Sequence, residues 1–270
     1  MRTVFFISDR TGMTAEALGN SLLTQFNDIE FKRINIAFID SLSKAKHAAN
    51  QVKEASEADG QPALIFSTQI SKEYRQLLID SGGIFFDFFE TFISKLEETL
   101  GTKSSQTVGL FHSMTNENNY GNRIDSINFA LSCDDGLNIK NYDRADIILT
   151  GVSRSGKTPT CLFLALQYGI FAANYPLIDE DLETIKLPTI LQKNKNKLFG
   201  LSINPVRLQN IRDERRSNSG YASIDQCRKE VKLAEDMFVQ NQVPFLDTSH
   251  TSIEEIAGRI LNKSAIKRRY

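Results

Sequence analysis

The sequence has no tryptophan, three cysteines and six prolines among 270 residues, and its formal net charge is −1. Each scarcity closes a class of function. Cys133, Cys161 and Cys227 are odd in number, far apart and form no C-x-x-C pair, which indicates neither a disulfide framework nor a zinc site. A reducing cytoplasm is the expected compartment. A charge near zero supplies no global field toward nucleic acid or an anionic membrane, so any recognition of phosphate must be local. No apolar run reaches the length of a membrane span, and the one at residues 4–7 is too short for a signal peptide. What remains is ordinary for a water-soluble chain: 41% hydrophobic and 24% charged residues, enough for one large or two modest α/β domains.

Apolar runs and amphipathic stretches alternate from the start. Strands are expected at 4–7, 31–39, 63–67 and 84–88, with helices at 15–26, 41–58, 71–80 and 91–100. Four such alternations imply a parallel sheet covered on both faces. Phe85, Phe86, Phe88, Phe89 and Phe92 are expected in its core. Residues 101–122 are polar and lack a period, which places a domain boundary there. The expected division is an N-terminal α/β domain at 1–105, a connecting segment at 106–140 and a second α/β domain at 141–270. In the last part, strands are expected at 147–150, 171–175, 198–203 and 243–247. Helices are expected at 123–132, 157–168, 205–216, 223–242 and 252–262, with Ser252 as the cap of the final one.

The stretch Gly151-Val152-Ser153-Arg154-Ser155-Gly156-Lys157-Thr158 fits the phosphate-binding P-loop spacing, between a strand and a helix as that motif requires. Its glycines let the backbone curl so that N–H groups face phosphate oxygens. Lys157 brings a compact positive charge, Thr158 carries a hydroxyl suited to Mg²⁺, and the free N–H groups of the next helix complete an anion site. Arg154 is an addition to the bare pattern, facing either a second phosphate or solvent.

Other residues leave two readings open. Ser8, Asp9, Thr11 and Thr14 follow the first strand, where they serve either a ligand site or helix capping. Asp134 and Asp135 before Gly136 are metal ligands, a general base or a type I turn. Asp179, Glu180 and Asp181 orient a nucleophile or metal, or form a solvated loop. Arg212, Arg215 and Arg216 share a helix face that meets either a phosphoryl group or water. Asp247 closes an apolar run and is the Walker-B-like candidate.

These residues also carry a family resemblance. Ala145-Asp146-Ile147-Ile148-Leu149-Thr150 leading into the P-loop, Pro159-Thr160 after it and Ala173-Asn174-Tyr175-Pro176 beyond closely resemble the phosphoenolpyruvate synthase regulatory proteins. Ile7-Ser8-Asp9, Asp134-Asp135-Gly136, Lys197-Leu198-Phe199-Gly200-Leu201, Ile211-Arg212, Arg215-Arg216 and Tyr221-Ala222-Ser223 extend the likeness over the whole chain. The resemblance implies that the second domain is a P-loop kinase-like domain with two opposed activities. One is a serine/threonine kinase that takes its phosphoryl group from ADP and inactivates the synthase. The other is a phosphorylase that removes that group with inorganic phosphate and releases pyrophosphate. It implies ADP, inorganic phosphate and Mg²⁺ as small partners, phosphoenolpyruvate synthase as protein partner, and Lys157, Arg154, Asp134 and Asp135 as catalytic. A homodimer is left open. A sister branch acts on pyruvate, phosphate dikinase and usually carries serine where this chain has Gly156, which favours the synthase branch over it. The chain departs from the family at Phe129 and Cys133, where tyrosine and histidine are common. A non-catalytic nucleotide sensor shares the same loop and is the rival from another class.

Overall fold

The computed structural model describes residues 1–105, 117–215, 220–264 and 266, the side chains of 117–120 excepted. Residues 106–116, Arg216 and the basic tail 267–270 lie outside the described residues, and with them much of the expected boundary segment. The chain divides into two compact units, Met1–Ser113 and Met114–Tyr270.

The first unit runs β1 (Arg2–Ile7), α1 (Met13–Leu23), β2 (Phe31–Ile36), α2 (Leu42–Asp59), β3 (Leu64–Ser67), α3 (Lys72–Ile79), β4 (Ile84–Asp87) and α4 (Glu90–Leu100). All its strand pairs are parallel, in the order β2-β1-β3-β4. Because successive side chains on a strand point to opposite faces, β1 feeds two cores. Phe5 and Ile7 pack with residues of α2 and α3, while Val4 and Phe6 pack with Ala15 and Leu23 of α1. The doubly covered parallel sheet is as expected.

Two details differ. The second strand stops at Ile36, and Phe38 beyond it turns into the left-handed region with φ 57°. The expected phenylalanine core is only half formed. Phe86 and Phe88 stack on Phe66, but β4 is an edge strand and α4 buries no residue, which leaves Phe86 and Phe92 exposed.

The second unit begins with α5 (Glu117–Ser132), the 3-10 turn Asp134–Gly136 and a further 3-10 stretch Ile139–Arg144. It continues with β5 (Ile147–Gly151), α6 (Lys157–Tyr168), β6 (Ala172–Pro176), α7 (Asp179–Glu183), α8 (Thr189–Lys193), β7 (Leu198–Ser202) and α9 (Pro205–Asp213). It closes with α10 (Ile224–Gln240), β8 (Phe245–Asp247) and α11 (Ile253–Lys263). The sheet is again parallel, in the order β6-β5-β7-β8. In chain order, both sheets place the first strand between the second and the third. A crevice forms at the carboxyl end of such a strand, and β5 delivers the glycine-rich loop there.

The same alternation builds both faces of this sheet. Ile147 and Leu149 pack with α6 and α11, and Ile148 with α9 and α10. Helix α5 starts six residues before the expected 123, since its packing against α6 outweighs the weak helix propensity of Asn118, Asn119 and Gly121. Ser252 caps α11 by accepting from the Glu255 N–H, as expected.

Candidate active site

The two loop glycines are required for different reasons. A Cβ on Gly151 would stand 2.2 Å from the carbonyl oxygen of Leu201 on the neighbouring strand, so only glycine lets the loop leave the sheet there. Gly156 has open space around it but a φ of +90°, a backbone state that a side chain disfavours. It is also the N-cap of α6 and offers no side chain to the first turn, whose N–H groups are left for an anion. Arg154 adopts φ 75° at the loop's crest, with its side chain exposed.

Lys157 is buried, and its ammonium donates to the Val152 carbonyl at 2.8 Å across the loop. Burial pulls its pKa down to about 8, while the carboxylates of Asp135 and Asp134 oppose that shift. The group stays mainly protonated at neutral pH, a fixed positive charge in a dry setting. Asp135, Ser153, Arg154, Gly156, Lys157, Thr158, Pro159 and Arg215 line one cavity of about 290 Å³ over the loop.

The Asp-Asp-Gly turn meets the loop at Thr158. Its hydroxyl donates to Asp134 Oδ1 at 2.9 Å, and Asn174 Nδ2 on β6 donates to the same oxygen at 2.5 Å. Asn174 also donates to the Thr158 hydroxyl at 3.0 Å. Its backbone is held on both sides, donating to the Cys133 carbonyl at 3.0 Å and accepting from the buried Tyr142 hydroxyl at 3.0 Å. Asp135 sits at φ 47°, a sparsely populated state that turns its carboxylate into the cavity. A turn does form, with the Asp134 carbonyl accepting from the Leu137 N–H, but positive φ at Asp135 and Gly136 makes it the mirror image of the expected type I turn; it also delivers both acids to the glycine-rich loop.

The arginines of α9 part company. Arg212 points inward and is fully buried, making a two-pronged ion pair with Glu230 of α10 at 2.6 and 3.1 Å. It donates to the Ser153 carbonyl of the loop at 3.3 Å and lies 4.0 Å from the ring centre of Tyr221, whose hydroxyl donates to Ser153 Oγ at 2.8 Å. Arg212 therefore clamps the loop from behind. Arg215 reaches the cavity itself.

Comparison with known proteins gives this geometry a setting. The family model described as kinase/pyrophosphorylase matches residues 4–261. The chain belongs to the kinase/pyrophosphorylase family. Relatives provisionally named phosphoenolpyruvate synthase regulatory proteins include one from Hahella chejuensis, 51% identical over 99% of this chain and 98% of its own. Another, from Marinobacter nauticus, is 49% identical with the same coverage, and one from Pseudomonas aeruginosa is 49% identical over 100% of this chain and 98% of its own.

In this member of the family, five residues of the expected loop (Ser153, Arg154, Gly156, Lys157 and Thr158) and Asp135 line one cavity, and Asp134 meets the loop through the Thr158 hydroxyl. Three other expectations need correction. Asp247 does not reach the phosphate loop's threonine: Ser249 donates to it through both N–H and hydroxyl, and the carboxylate beside Thr158 belongs to Asp134. The acids 179–181 form the first turn of α7 rather than a loop, where Asp181 accepts from the Ile178 N–H and Asp179 from Gln226. Arg212 meets neither phosphate nor water, because Glu230 lies opposite it. Near β1, no side chain caps α1. Ser8 accepts from the Thr68 hydroxyl at 3.0 Å and Asp9 from the Ile70 N–H at 3.4 Å, which ties the loops after β1 and β3 together.

Asn174, Tyr221 and Glu230 are the contributors that the sequence reading left without a role. For Asn174 a signal existed: an amide in the middle of a buried strand needs a polar partner. Nothing local marked Glu230, whose partner lies eighteen residues away.

Proposed function

We propose that this protein is the bifunctional regulator of phosphoenolpyruvate synthase: an ADP-dependent threonine kinase that inactivates the synthase and a phosphate-dependent pyrophosphorylase that restores it. The observation that carries the reading is the single cavity where Lys157, Arg154 and Arg215 supply positive charge, Asp135 supplies a carboxylate, and the uncapped start of α6 supplies N–H donors. The kinase/pyrophosphorylase family and the names of its relatives support it.

In the forward direction the ADP diphosphate lies on the loop. The threonine oxygen forms a bond to the β-phosphorus, the bond from that phosphorus to the bridging oxygen breaks, and AMP leaves. Lys157 and Arg154 balance the charge on the moving phosphoryl group, so the chain's contribution is positioning and electrostatics. In this reading Asp135, which lines the cavity, takes the hydroxyl proton, while Asp134 is more closely engaged, by Thr158 and Asn174. In reverse, inorganic phosphate occupies the same cradle, attacks the phosphothreonine phosphorus and leaves as pyrophosphate, and the threonine oxygen regains its proton.

The Thr158 hydroxyl beside the Asp134 carboxylate is a hard oxygen set that fits Mg²⁺. When bound, the ion supplies charge neutralisation for the phosphates.

The test is to incubate the protein with ADP and purified synthase, with purified pyruvate, phosphate dikinase in a parallel arm. Mass spectrometry should find a phosphothreonine on the synthase, with AMP formed, and its removal by phosphate with pyrophosphate released. Modification of the dikinase alone would move the protein to the sister branch. Nucleotide binding without any transfer would leave a sensor.

A further inference from the structure

The two directions of the proposed chemistry differ in what the protein substrate brings to the cavity. In transfer from ADP it offers a neutral threonine hydroxyl. In phosphorolysis it offers a phosphomonoester with a charge of about −1.5 to −2 at pH 7, beside an inorganic phosphate of comparable charge. Two such anions repel each other in a small space unless each meets positive groups of its own. Lys157 and the free N–H groups of α6 serve one phosphate, the one that lies on the loop. The Asp135 carboxylate in the same lining makes a second cationic seat more necessary still.

Arg215 has the properties of that seat. It lines the cavity from outside the loop, just beyond the end of α9, and is exposed, so a side chain carried by another protein can reach it. Among the described residues its guanidinium forms no ion pair, whereas Arg212, one turn earlier, is taken up by Glu230. Its backbone is nevertheless tied to the loop. The Arg215 N–H donates to the Arg212 carbonyl at 3.2 Å, and Arg212 in turn donates to the Ser153 carbonyl at 3.3 Å. A free guanidinium is thus held at a set place beside the cradle, and its fork of donors matches the oxygens of a phosphomonoester. Arg154 is the other exposed arginine of the lining, but it belongs to the loop that holds the donor phosphate.

We propose that Arg215 binds the phosphate group of the target protein's phosphothreonine, and so serves phosphorolysis more than transfer from ADP. The assignment deepens the proposed function and rests on it, since it gives the acceptor side of the same cavity its own anion seat.

The test compares Arg215→Ala and Arg215→Lys with the parent protein in both directions, using phosphoenolpyruvate synthase before and after its modification by the parent. Circular dichroism checks folding. Arg215→Ala should raise the KM for phosphorylated synthase roughly tenfold or more. The Kd for ADP and the KM values for inorganic phosphate and unmodified synthase should stay near those of the parent. Arg215→Lys keeps the charge but loses the fork, and should fall between the two. Four results would overturn the assignment. An equal rise in KM for both forms of the synthase would make Arg215 a docking contact, and weaker binding of ADP or inorganic phosphate would put it on the donor side. A fall in kcat with every KM unchanged would put it on the moving phosphoryl group, and no change at all would make it a bystander. A parent protein that transfers nothing to the synthase would instead remove the proposed function, and this inference with it.

Discussion

On the proposed mechanism, both directions of the chemistry depend on Lys157. Its ammonium is buried and aimed across the loop, so replacing it with alanine removes a charge that the loop holds out of water. Lys157→Ala should lower transfer from ADP and phosphorolysis of the modified synthase together, each by roughly a hundredfold or more. Rates of AMP and pyrophosphate formation check this, and loss of one activity alone would argue against a shared phosphate site. Glu230 is the opposite kind of residue, outside the cavity but paired with the arginine that holds the loop. Glu230→Ala strands the buried Arg212 guanidinium, and denaturant unfolding should show a loss of about 3–5 kcal/mol. Asp9 carries a pH signature. Burial holds its carboxyl above the ordinary value of 3.8, so the folded state takes up its proton more readily than the unfolded chain does. The resulting contribution to stability is full below pH 3.8 and is lost as the pH rises through the folded value. Asp9→Asn should therefore melt higher than the parent at neutral pH, and the difference should vanish as the pH falls below that range.

At the scale of elements, the loop's two glycines give separable outcomes. Gly156→Ala meets no atom but must hold a left-handed backbone, at a cost of about 1–2 kcal/mol. Gly151→Ala drives a Cβ into the Leu201 carbonyl, a backbone atom that cannot swing aside. Melting temperature and ADP affinity, measured on both variants, should show a mild loss for the first and a severe one for the second. The strand–loop–helix unit was legible because glycine spacing, lysine and an apolar strand coincide in one short stretch. The ends of other elements were not. Asn118, Asn119, Gly121 and Asn122 look like a loop by propensity, yet residues from 117 onward are helical because tertiary packing overrides a weak local preference. Asp179, Glu180 and Asp181 look like a solvated loop, but acids in a first turn are also favoured by the helix dipole.

At the scale of the whole molecule, two α/β units, the first with a doubly covered parallel sheet, could be expected from the strand–helix rhythm. The strand order that both sheets share, and which distant residues become partners, could not. The ion pair of Arg212 with Glu230, and the contact of Asn174 with Asp134 across forty residues, depend on long-range placement that no local pattern encodes. The near-neutral charge leaves any recognition of phosphate to local groups such as those lining this cavity, and the described residues contain no helix long and apolar enough to cross a membrane. The claim that this cavity passes a phosphoryl group between a diphosphate and a protein threonine is tested most directly by following the atom itself. ADP labelled in its β-phosphate, incubated with the protein and phosphoenolpyruvate synthase, should leave its label on a synthase threonine and yield it as pyrophosphate once unlabelled phosphate is added. Label that appears only as free orthophosphate, or that reaches the synthase only from the γ-position of ATP, would contradict the account.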